Sequence, residues 1–390
     1  MQDFDAFWAG ALGEAEAAGR LRQLRRVERL PSARIRFEDG PILVDFSSND
    51  YLGLSHHPAL IEAACGYAAR FGAGAGASRL VSGNLLPLEE IERKLADGKA
   101  MEAALVFVSG AQANLTLLPA MLDARVLGAE PLVYADRLNH ASLIQGCVAA
   151  GVRQIRFRHN DLGHLEELLR RDADSTRPRF IVTESVFSMD GDGPDLQALA
   201  ALAEKFDAFL YIDEAHATGV LGGNGFGLAG GLKNALVMGT FSKGLGGFGA
   251  YAAGSSALRH YLINRCGGVI YATALPPSVL GAMNAALDLI PRMDERRAHL
   301  SAMAAHLRKR LTQAGLDIGA STTQIVPLIL GEERLATSLA AKLEQEGFCA
   351  IAIRPPTVPA GTSRLRLAVS ALHRLEEIDA LADAVIRNVG

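Results

Sequence analysis

Four cysteines among 390 residues are too few and too scattered to organise this chain. Cys65, Cys147, Cys266 and Cys349 lie far apart, and no C-x-x-C occurs. That spacing argues against a metal site or a disulfide framework and fits a reducing cytoplasm. The N-terminus carries acids early, Asp3 and Asp5, and lacks the basic-then-apolar order of a secretion signal. Basic charge is not in excess. A net charge of -4 speaks against nucleic acid or an anionic membrane as a partner. Internal repeats and low-complexity tracts are also missing. One uncharged stretch, Ala103 to Leu122, has the length of a bilayer span. It contains Ser109, Gly110, Gln112, Asn114, Thr116 and Pro119, which a lone spanning helix carries poorly. A buried strand over Ala103–Val108, a turn and a helix opening at Ala111 is the expectation.

What is present is globular. Hydrophobic residues make up 49% and charged residues 21%, so a soluble packed core follows. The length implies a large domain and a smaller one. Glycine, at 40 of 390 residues, exceeds the usual share of about 7%. The excess sits in clusters at 72–76, 222–231 and 244–249, which marks functional turns. The first thirty residues read as an amphipathic helix, with Arg20, Arg22, Arg25, Arg26 and Arg29 late, where they favour the helix dipole. Pro31 ends it.

From Ser47 to about Ser278, apolar runs alternate with helical stretches. The runs are Leu105–Val108, Leu132–Ala135, Gln154–Phe157, Phe180–Thr183, Phe209–Ile212, Leu236–Gly239 and Ala250–Ala253. Such alternation means an α/β fold, a mostly parallel sheet covered by helices on both faces. Ligands of such sheets bind beyond the carboxyl ends of the strands. After Pro276-Pro277 a long helical stretch, bent at Pro291, leads into a smaller α+β unit that closes with a helix over Glu376–Val389. Three units are expected: residues 1–46 packing with the small domain, 47–285 as the large domain, and 286–390 as the small C-terminal domain.

Two strand ends carry chemistry. Asp213-Glu214-Ala215-His216 follows one apolar run, and Thr240-Phe241-Ser242-Lys243-Gly244 follows the next. Lysine, aspartate and histidine there point to a Schiff base with pyridoxal phosphate, with the aspartate holding the pyridinium nitrogen protonated. A neutral lysine at pH 7 needs its pKa lowered by about three units, and imine formation meets that need chemically. Alone, Lys243 also reads as a surface lysine in a glycine-rich turn, and Asp213 as a helix N-cap. His216 can face the same cavity. His140, after another strand end, offers a flat ring for stacking. Ser109-Gly110-Ala111-Gln112 opens a helix whose first N–H groups form an anion site, with Thr240 and Ser242 adding hydroxyls. Phe71 to Arg79 is a glycine-rich loop, either close to substrate or only a tight turn. Gly244-Leu245-Gly246-Gly247-Phe248-Gly249 matches G-x-G-x-x-G, yet a strand-like run follows and no acid occurs between Glu214 and Asp288. A nicotinamide site needs a helix and an acid there.

These residues resemble the α-oxoamine synthase family of fold-type I pyridoxal-phosphate enzymes. The likeness runs from Phe46-Ser47-Ser48-Asn49-Asp50-Tyr51-Leu52-Gly53-Leu54 to the last helix. It includes Arg79-Leu80-Val81-Ser82-Gly83-Asn84 and Thr183-Glu184-Ser185-Val186-Phe187-Ser188-Met189-Asp190-Gly191. The resemblance implies that Lys243 is the Schiff-base lysine and Asp213 the pyridinium partner. His216 and Ser188 would meet the phenolic oxygen and His140 would stack. Gly110, Ala111 and Thr240 would hold the phosphate. Thr273 resembles a hydroxyl lent by the other subunit of a homodimer with shared active sites. Ile353 to Leu367 is similar to the branch that condenses L-alanine with a pimeloyl thioester in biotin biosynthesis. There Arg366 matches the carboxylate-holding arginine, which its planar fork suits. Thr357 and Asn49 match substrate contacts, and Arg22 matches an arginine at the acyl site. Ala111 and Ala77 depart from residues common in relatives, without touching the lysine chemistry. Acyl-carrier protein and coenzyme A are both open as thioester carriers. The alternatives are a sibling α-oxoamine synthase and a catalytically silent subunit of the same fold.

Overall fold

A computed structural model describes residues 2–17, 20–38 and 40–389. Its centre is a seven-stranded sheet. From one edge to the other the strands are Ala103–Phe107, Ala250–Gly254, Ala235–Thr240, Ala208–Asp213, Arg179–Glu184, Leu132–Asp136 and Gln154–Phe157. Ala250–Gly254 runs antiparallel to both neighbours, and the remaining pairings are parallel. Alternate side chains enter different cores, as the strand period of two requires. Tyr211, Leu236 and Met238 pack on one face, while Leu210, Ile212, Ala235 and Val237 pack on the other. Burial on both faces explains why the strands read as continuous apolar runs.

The strands continue past their last apolar residue. Asp136, Glu184, Asp213 and Thr240 each end a strand at the same border of the sheet. Glu184 is the register partner of Asp213, and Asp213 that of Met238. Four polar side chains are thereby aligned along one edge. Behind them the chain turns tightly. Gly219 has φ +90°, and a Cβ on Gly244 would lie 2.6 Å from the Thr218 carbonyl oxygen. Only glycine lets these two segments touch.

Two helices, Pro277–Leu289 and Asp294–Gln313, are joined by a 3-10 turn over Ile290–Arg292, so the bend falls at Pro291. Beyond them lies a three-stranded antiparallel sheet in the order Ile325–Gly331, Ser363–Ala368, Ile351–Ile353. Helices Glu333–Gln345 and Leu375–Val389 belong to this unit. Strands Val27–Leu30, Arg34–Phe37 and Ile42–Asp45 form an antiparallel set that pairs in parallel with Phe348–Cys349.

The N-terminal expectation needs correction. The helix covers Phe4–Ala17 only and has no basic residue in its last turn. Residues 18 and 19 lie outside the described ones, and Val27–Leu30 is a strand. Two of the arginines serve distant carboxylates instead of a dipole. Arg20 pairs with Glu333, and Arg25 makes a two-pronged bond to Glu344 at 2.7 Å while lying over the Phe37 ring. Ala103–Phe107 is a strand and Gly110–Met121 a helix. Among the described residues, no helix is long and apolar enough to cross a membrane.

Candidate active site

At the polar border of the large sheet, two adjoining cavities of about 230 Å³ each share His140, His216 and Lys243. The first is also lined by Ser109, Gly110, Asp213, Glu184 and Thr240. The second adds Asn49, Ser188, Met189, Ile351, Ile353 and Arg366.

Lys243 Nζ lies 2.7 Å from His216 Nε2. Burial lowers the lysine pKa to about 8 against the opposing pull of Asp213 and Glu184, and Arg366 lowers it further. The amine is therefore available as a base and nucleophile near neutral pH. His216 is buried, and burial followed by the charges of Lys243 and Arg366 pushes it well below the ordinary imidazole range. It stays neutral.

Asp213 is buried, and its Oδ2 accepts from Asn114 Nδ2 at 2.9 Å while its Oδ1 accepts from the Ala215 N–H at 2.9 Å. Asn114 also donates to Ser142 Oγ at 2.9 Å and accepts from the Tyr211 hydroxyl at 2.7 Å. Ser142 Oγ in turn lies 2.7 Å from His140 Nδ1. One amide thus ties the carboxylate to the histidine ring. The backbone N–H of His140 donates to Glu184 Oε1 at 2.6 Å. Burial and then the neighbouring Asp213 push the Glu184 carboxyl well above its ordinary range.

Arg366 is buried on strand Ser363–Ala368. Its Nε donates to the Ser188 carbonyl at 2.5 Å and its Nη2 to the Tyr51 hydroxyl at 3.1 Å. The loop bearing Ser188 is pinned at its far end by His159, which bonds Asp136 Oδ1 at 3.0 Å and Asp192 Oδ2 at 3.1 Å. Burial opposes the imidazolium, but the two carboxylates outweigh it and raise His159 to about 10. A raised folded pKa gives stability that is complete below the ordinary histidine range and fades as pH climbs towards the folded value. Thermal melts at stepped pH should show this decline between about 6.5 and 10, and His159→Gln should remove that component.

The structure gathers Lys243, Asp213, His216, His140, Gly110, Ala111, Thr240, Ser188, Asn49 and Arg366 around the two cavities. Three other expected residues lie outside both linings. Arg22, Thr357 and Thr273 are exposed, and Thr273 forms a β-bridge with Ser78. Asn114, Ser142, Glu184 and Tyr51 enter the site without having been singled out. A signal existed for two of them. Asn114 is a polar residue inside an apolar helix, and Glu184 ends an apolar strand just as Asp213 does.

The residues present fit pyridoxal phosphate. Asp213 is a buried carboxylate on the cavity wall, bonded by neutral donors that leave room for a cation. Ser109 caps the helix Gly110–Met121, accepting from the Gln112 N–H at 3.3 Å. The first N–H groups of a helix have no partner within it, and they favour an anion. A Cβ on Gly110 would meet only the tip of Met238 at 3.9 Å, so the space before this helix is open.

Comparison with known proteins agrees. The family described as aminotransferase class I and II matches residues 41–385. A Paramagnetospirillum magneticum protein, provisionally named 8-amino-7-oxononanoate synthase, is 58% identical over 99% of this chain and 98% of its own length. The serine palmitoyltransferase of S. paucimobilis, solved with a bound pyridoxal phosphate–myriocin adduct, superposes with a TM-score of 0.91 at 26% identity. That match covers 99% of this chain and 98% of the other. The 8-amino-7-oxononanoate synthase of Francisella tularensis gives 0.76 at 26% identity, over 89% of this chain and 98% of its own. Fold, cavity and sequence therefore place the chain in the class I and II aminotransferase family, among the pyridoxal-phosphate-dependent 8-amino-7-oxononanoate synthases.

Proposed function

We propose that the chain joins L-alanine to a pimeloyl thioester, releasing CO2 and the carrier thiol and yielding 8-amino-7-oxononanoate for biotin synthesis. The observation that carries this reading is that Lys243 and Arg366 line one cavity. An amine that can take the alanine Cα proton thus shares a chamber with a guanidinium that can grip its carboxylate. The relatives' names support the product, and the apolar walls Met189, Ile351 and Ile353 suit the methylene chain of the acyl group.

Bound pyridoxal phosphate supplies an aldehyde for amines and a protonated ring that accepts electron density. Asp213 would hold the ring proton, and the N–H groups of Gly110 and Ala111 with Thr240 would hold the phosphate. Lys243 moves the proton at the alanine Cα and returns one after CO2 leaves. His140 would stack on the cofactor ring and donate to the thioester oxygen as charge develops there. Ser188 and His216 would meet the phenolic oxygen of that ring. Asn49 and Thr357 are assigned to substrate contact and Arg22 to the outer acyl end. Thr273, exposed on this chain, is assigned to the site of a second copy in a homodimer.

Arg366→Ala tests the assignment. Losing a charged hydrogen-bond partner costs about 1.5–3 kcal/mol. The KM for alanine should therefore rise roughly 10- to 100-fold, with the thioester KM little changed. Equal rises in both would remove Arg366 from the carboxylate site.

A further inference from the structure

The hydroxyl of Tyr51 bonds three residues of the site, and the side chain is fully buried. Arg366 Nη2 donates to it at 3.1 Å, it donates to Asn49 Oδ1 at 3.0 Å, and His216 Nδ1 lies 2.6 Å away. Gln324, whose Nε2 donates to the His216 carbonyl at 2.9 Å, lies beside this hydroxyl. No step proposed above uses Tyr51.

With the Asn49 contact as the bond that Tyr51 donates, counting protons gives each remaining bond a direction. Arginine can only donate, so the Arg366 contact takes one lone pair of the Tyr51 oxygen. Burial pushes the Tyr51 phenol above its ordinary range, so its proton stays on. That single proton goes to Asn49. The remaining lone pair must then accept from His216, which places the imidazole proton on Nδ1. His216 is neutral and has one N–H, so its Nε2 is bare. A bare Nε2 is what Lys243 needs, since an ammonium at 2.7 Å can only donate. Each of these four contacts then has one donor and one acceptor.

We propose that Tyr51 is a positioning residue: its hydroxyl fixes His216 as the Nδ1–H tautomer facing Lys243 and holds Arg366 in place for the substrate carboxylate. The second half rests on the functional reading above, and the first half does not. Tyr51 links the group that moves the proton to the group that grips the substrate. Losing its hydroxyl would disturb both, while the apolar walls Met189, Ile351 and Ile353 make no hydrogen bond to it.

Two measurements on the full-length chain decide this. The first uses cofactor-stripped protein labelled with 15N-histidine at pH 7. Among its ten histidines, His216 is assigned by its loss in His216→Gln. A bare ring nitrogen resonates far downfield of a protonated one, so Nδ1 should read as protonated and Nε2 as bare. In Tyr51→Phe both signals should move towards the average of the two tautomers. A protonated Nε2 in the parent, or an unchanged pattern in Tyr51→Phe, would overturn the proposal. The second uses the holoenzyme. Tyr51→Phe should raise the KM for alanine about tenfold, the loss of one hydrogen bond to a charged group, and leave the thioester KM in place. Parallel changes in both, or none, would contradict the Arg366 half. A parent protein inactive with alanine and pimeloyl thioester would sink the functional reading, while the tautomer measurement would still decide the role of Tyr51.

Discussion

Lys243→Met should lower turnover by about 10⁴-fold or more, because on the proposed reading one side chain both captures the cofactor and moves the substrate proton. Methionine keeps an unbranched apolar stem of similar length, so packing should survive. Folding should not suffer. The unfolded chain keeps the lysine proton up to about 10.5, whereas the native chain releases it near 8. Between those values the unfolded state binds more protons, so native stability rises with pH there. The variant should lose that rise and melt at or above the parent temperature at pH 7. Borohydride should then fix no pyridoxal on the chain. Residual turnover within about tenfold of the parent would show that another group moves the proton.

Lys99→Met should cost about 3–5 kcal/mol of stability, the range for breaking a buried ion pair on one side. Lys99 and Glu214 pair with neither side chain exposed (0% each). Glu214 Oε1 also accepts from the N–H groups of Leu228 at 2.6 Å and Ala229 at 3.0 Å. A Cβ on Gly227, which has φ +91°, would strike Glu214 Oε2 at 2.3 Å, so the loop closes on this pair without room to spare. Removing the lysine leaves a buried carboxylate with no cation beside it. Adding Glu214→Gln should recover most of the loss, since the amide oxygen can still accept from the two N–H groups. Urea denaturation reads both effects. A cost under about 1 kcal/mol for Lys99→Met would mean that the pair contributes nothing specific. Because Glu214 follows Asp213 directly, this loss should also loosen Asp213, the proposed partner of the cofactor ring.

The central sheet was legible because burial on both faces leaves unbroken apolar runs. The strand ends were not, since apolarity stops one residue before the hydrogen bonding does, at Asp136, Glu184, Asp213 and Thr240. Those polar ends build the site. Asp213 and Lys243 stood out by their neighbours, while Glu184 carried the same signal and was given no role. Tyr51 sat inside a motif read only for resemblance, and nothing local told that it meets Arg366, 315 positions away. Arg20 and Arg25 were misread for the same reason. A dipole is a local partner, but Glu333 and Glu344 lie more than 300 positions downstream. Strands Phe348–Cys349 and Ile351–Ile353 are too short for any periodicity to show.

The most direct test is product analysis. Purified protein, supplied with pyridoxal phosphate, L-alanine and a pimeloyl thioester, should release one CO2 and one thiol for each 8-amino-7-oxononanoate identified by mass spectrometry. Glycine with acetyl or succinyl thioesters should give little. No such product from alanine, with brisk turnover of glycine and a short acyl thioester, would contradict the account and move the chain to a sibling activity.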